Sequence, residues 1–82
     1  MKVWITTYAL SADILVAEVD QPRESTPNTI LVKFLYFHKP HWHETEKEAL
    51  AHADAMRAKR VESLRKQIDA LNAMEFTFKE FP

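Results

Sequence analysis

Glycine is absent from the 82 residues, where average usage would supply about six. That absence excludes the glycine-rich phosphate loops of nucleotide-binding folds, because only glycine lets backbone amides wrap a phosphate so closely. Turns must then be built from Asp, Asn, Ser and Pro. Cysteine is also absent, which removes disulfides, thiolate chemistry and cysteine-based zinc fingers. No apolar run approaches the roughly 20 residues of a membrane span. The opening Met1-Lys2-Val3-Trp4-Ile5-Thr6-Thr7 turns polar before a signal-peptide core can form, so the expected compartment is the cytoplasm. A formal net charge of −1 gives no overall pull towards nucleic acid or acidic lipid.

What is present is ordinary for a folded domain: 46% hydrophobic and 28% charged residues. A chain this short holds one core and buries only about 60–65% of its unfolded surface, so its stability margin is expected to be small and partners or self-association would contribute a large share of the total. Residues 2–10 are rich in β-branched and aromatic types and predict a strand. Ser11-Ala12-Asp13 forms a tight connection to a second strand over 14–20, and 21–29 is a loop with two prolines. The run 30–37 is nearly all apolar and predicts the central strand, ended by Pro40. Thr45 with Glu48 three residues later makes a capping box for a helix running to about Met74. The expected fold is α+β: a three-stranded antiparallel sheet over 2–37, then one long C-terminal helix over about 45–74. The tail 75–82 alternates with period 2 and adds either a fourth strand or an extended hook.

The helix is too long for the sheet. Its ~29 residues span about 43 Å, against about 25 Å for a strand of seven or eight residues. One end must overhang. Ala49, Leu50, Ala53 and Met56 suit close packing on a sheet, whereas Val61, Leu64, Ile68 and Leu71 are spaced 3-4-3 as a coiled-coil seam. Stepping the seam back by heptads meets Arg57 and Asp54, so the two halves have separate tasks. The seam residues are the expected homodimer interface. The alternative is intramolecular cover by Phe76, Phe78 and Phe81 of the tail. Flanking charges on Arg60, Glu62, Arg65, Lys66 and Asp69 allow parallel or antiparallel pairing.

Three groupings bear on chemistry. His38, His41 and His43, with Glu44 and His52, have spacing that permits a metal, yet His43-Glu44 is followed by Lys47 where a metalloprotease helix has histidine. The favoured reading has Trp42 plugging the space between sheet and helix with its flanking histidines in solvent, and no metal or other cofactor. A third reading makes two of them an acid–base pair, as in a metal-free ribonuclease. Arg57, Lys59, Arg60, Arg65 and Lys66 could face a partner or a nucleic acid. Asp54, Glu62 and Asp69 interrupt them, and Glu62 with Lys66 is a favourable i,i+4 pair, which favours a solvated helix face. Ser11, Ser25 and Ser63 have no adjacent base. No catalytic residue is assigned and no enzyme is expected.

The segment Trp42-His43, Thr45, Glu48-Ala49, Ala53, Met56-Arg57, Lys59, Ser63-Leu64, Lys66-Gln67-Ile68, Leu71 and Phe76 resembles a family of small proteins, mostly of unassigned function, encoded by phages and prophages of proteobacteria. Ile5-Thr6 with Tyr8-Ala9-Leu10 is similar to that family's opening. The resemblance covers both ends of the chain and is weakest over residues 20–40. It implies no catalytic residues. It implies instead a binding protein of the host bacterial cytoplasm that blocks a host protein complex, as anti-CRISPR and other anti-defence proteins do. The competing expectation is a small dimeric nucleic-acid-associated regulator using the basic helix face.

Overall fold

The computed structural model describes residues 1–82. Strand β1 (Lys2–Ile5) lies at the centre of a three-stranded antiparallel sheet, between β2 (Leu15–Glu18) and the two-residue β5 (Trp42–His43). Val3 pairs with Ala17 and Ile5 with Leu15 on one side, and Ile5 pairs with Trp42 on the other. Strands β3 (Thr29–Val32) and β4 (Leu35–His38) form a separate two-stranded sheet. The fold is α+β, two small antiparallel sheets followed by one long C-terminal helix, α1 (Glu46–Asn72).

Alternation decides which β1 side chains enter the core. Val3 and Ile5 are buried, while Lys2 faces solvent and Trp4 is half-buried, as the two-residue strand period requires. Val19, Ile30, Phe37 and Trp42 join them in one cluster drawn from both sheets. The Trp42 indole Nε1–H donates to the Asn28 carbonyl at 2.9 Å, which pins the second sheet to the first. Tyr8 meets Phe37 edge-on at 6.5 Å, closing the same side.

The run 30–37 is not one central strand. Val32 pairs with Leu35, so the chain reverses through Lys33-Phe34. Lys33 sits at φ 56°, a left-handed conformation glycine normally supplies and this chain must reach with a lysine. Strands 2–10 and 14–20 also shorten to four residues each, since Thr6 starts a multiple turn in which Ala12 N–H donates to the Tyr8 carbonyl. Residues 42–43, expected in a loop, pair with β1 instead.

The helix begins as its cap dictates. Thr45 is extended (φ −131°, ψ 149°) and its Oγ1 accepts the Glu48 N–H at 3.2 Å. The Glu48 carboxylate does not return to the Thr45 amide; it lies near His43 instead. Ala49 is the one fully buried helix residue, with His52, Ala53 and Met56 half-buried along the docking face. Leu50, expected on that face, is half exposed. Beyond Arg57 the helix leaves the body altogether. The molecule measures 61 × 31 × 22 Å with a radius of gyration of 19.5 Å, where a compact chain of this length would have about 12 Å. The tail forms neither a fourth strand nor a hook onto the helix, and no helix is long and apolar enough to cross a membrane.

Candidate functional site

The overhanging half of α1 exposes an apolar seam. Val61, Leu64, Ile68 and Leu71 are 40–66% exposed, and Phe76, Phe78 and Phe81 are 87–101% exposed. The tail therefore does not cover the seam within the chain. Both apolar sets face water, which is costly at about 1.5–3 kcal/mol per aliphatic side chain that could be buried.

The cations of this half do not form a stripe. Helical steps of about 100° per residue carry Arg57, Lys59, Arg60, Arg65 and Lys66 around the whole circumference. Two of the five are paired along the helix, Arg57 with Asp54 at 2.6 Å and Lys66 with Glu62 at 3.5 Å. Both pairs are well exposed and contribute little energy. They do cancel charge locally, and a phosphate backbone needs an uncancelled track.

The histidines separate into two places. His38 lies on β4, its Nδ1 2.8 Å from the Thr29 hydroxyl across the hairpin. His41, His43 and His52 gather where α1 meets β1. The fully buried Thr6 hydroxyl lies 2.8 Å from His52 Nδ1, 3.3 Å from His43 Nε2 and 3.3 Å from the His41 carbonyl. A hydroxyl has one proton and two lone pairs, so three partners use its full capacity. The Thr6 N–H also donates to the His41 carbonyl at 2.9 Å.

His43 is buried, not solvated, which corrects the sequence expectation for the residues flanking Trp42. Burial, then the neighbouring His52, Lys39 and His41, holds its pKa below the ordinary 6.5, with Glu48 pulling the other way. The rings of His43 and His52 lie 5.0 Å apart. No three His, Asp or Glu side chains are arranged to hold a metal ion. Thr6 is the residue that sequence reasoning missed. Its partners lie 35 to 46 positions away and no local pattern marks it. The arrangement is a polar joint that clamps the first turns of α1 to the sheet. Thr6 and His43 are buried in it and His52 is half-buried.

A shallow depression of about 540 Å³ lies between the 20–26 loop and the second sheet, with Arg23, Tyr36 and His38 on its wall. Its lining mixes charges of both signs with apolar residues and directs no set of polar groups at one point. Comparison of the chain with protein-family models, with curated proteins and with solved structures yields no match.

Proposed function

We propose that the protein is a non-enzymatic homodimer that acts by binding another protein, its two chains joined through the overhanging helices. One observation carries this reading. A compact chain of 9.6 kDa would expose about 5,100 Å², whereas this one exposes 7226 Å². The excess of roughly 2,100 Å² per chain exceeds the ~800 Å² that each partner contributes to a standard interface. The helix and tail contribute Val61, Leu64, Ile68, Leu71, Phe76, Phe78 and Phe81 to it, all exposed.

The resemblance to phage and prophage proteins directs this binding reading towards host defence. The protein blocks a host defence complex by occupying its surface, and the Thr6–His43–His52 joint serves the scaffold. The test is the plating efficiency of a sensitive phage on a host with an active interference system. Expression of the protein should raise it, and the Leu64→Asp/Ile68→Asp variant should not. Unchanged plating across the host's known defence systems would overturn the anti-defence reading.

A further inference from the structure

We infer that the two helices pair antiparallel, Val61 opposite the partner's Leu71 and Leu64 opposite the partner's Ile68, and that each tail lies along the partner's helix. This rests on the dimer reading above and adds the orientation, the register and a role for the tail.

The charges next to the seam decide between orientations. In the heptad that puts Val61 and Ile68 at a and Leu64 and Leu71 at d, Arg60 is a g residue and Arg65 an e residue. A parallel pair sets Arg60 beside the partner's Arg65, twice by symmetry. It also stacks Asp54 on the partner's Asp54, Arg57 on the partner's Arg57 and Glu75 on the partner's Glu75. Every one of these is a like-charge meeting.

The antiparallel register removes most of them. The layer beyond Val61 places Arg57 opposite the partner's Glu75, again twice by symmetry, and leaves two unfavourable approaches, Arg65 to the partner's Arg65 near the axis and Asp54 to the partner's Phe78. Arg57 is free to make this pair, since its present bond is an exposed one to Asp54 on its own helix. The dipoles of antiparallel helices also oppose each other favourably.

The tail follows from the same register. Ala73 retains helical angles (φ −86°, ψ −7°) and no glycine or proline follows before Pro82, so the helix can continue through Glu75 once a partner supports it. Leu50 lies on the seam line two heptads before Leu64 and is half exposed. The partner's tail, running past Arg57 towards the sheet end, brings the partner's Phe78 and the partner's Phe81 to Leu50 and Asp54. Phenylalanines that have nothing to cover in their own chain are thus used in the other one.

The absence of cysteine makes the test clean, since one introduced cysteine is the sole labelling site. Ala51 is exposed and, two heptads before Arg65, flanks the seam line at an e position. In Ala51→Cys carrying a nitroxide, the antiparallel register separates the two labels by about 45 Å along the axis, from the rise per residue on either side of the Lys66 level. A parallel pair holds them within about 30 Å, the width of two packed helices and their labels. Pulsed dipolar spectroscopy on the full chain should give the long distance. The short distance would overturn the orientation while leaving the dimer standing. No dipolar coupling, with a single-chain mass, would overturn the dimer and this inference together. The register has its own check: Arg57→Glu should weaken dimerisation about tenfold, and adding Glu75→Arg should restore it. Failure of that rescue would overturn the Arg57 to partner Glu75 layer.

Discussion

Thr6 shows how much one hydroxyl can organise in a chain with a small core. It ties the end of β1 to β5 and to the first turns of α1, through partners far apart in sequence. Thr6→Val keeps the shape and removes the hydroxyl, leaving the nitrogens of His43 and His52 facing a methyl group. Urea denaturation should show a loss of about 1–3 kcal/mol, the cost of unpartnered buried polar groups, with the dimer mass unchanged in the folded protein. His43 adds a pH dependence of definite sign. Its folded pKa lies below 6.5, so between those two values the unfolded chain binds more protons than the folded one. Stability contributed by His43 is therefore complete above pH 6.5 and is lost as pH falls through the folded value. The groups facing it are His52, Lys39, His41 and Glu48. Melting temperatures taken from pH 8 to pH 5 should fall on the acid side, and His43→Gln should flatten that slope. An equally steep slope in the variant would assign the effect to other groups.

The helix was the most legible element and the second sheet the least. Thr45 and Glu48 mark the helix start in the sequence, and the structure uses the threonine as read. The end was legible to within two residues because nothing between them breaks a helix. The hairpin β3–β4 was hidden for a physical reason. Its turn is Lys33-Phe34 inside an unbroken apolar run, with neither Asn nor Gly to announce a left-handed residue. The division of α1 into a docking half and a free half was also legible, from Ala49, Ala53 and Met56 against the Val61–Leu71 spacing. Leu50 was misassigned because helix-face reading alone cannot locate the sheet's edge. The grouping of His41 and His43 with His52 was legible, but their joint with Thr6 was not, since it depends on β5 pairing with β1. At this scale the cations yield a further expectation. Spread around the helix and partly paired, they should hold generic duplex DNA more weakly than about 10⁻⁴ M at physiological salt. Micromolar binding that falls steeply with salt, in a fluorescence anisotropy titration, would support the nucleic-acid regulator instead.

At the scale of the molecule, a head with few buried side chains carries a helix and tail that expose apolar residues along their length. The proposed second copy, related by two-fold symmetry, would cover the seam and the phenylalanines together. Burying an aspartate without a partner is strongly unfavourable, so Leu64→Asp/Ile68→Asp should give a monomer or an unfolded chain. The most direct measurement is multi-angle light scattering of the unmodified protein at micromolar concentration. Twice the chain mass of 9.6 kDa is expected; a mass of one chain would contradict the dimer.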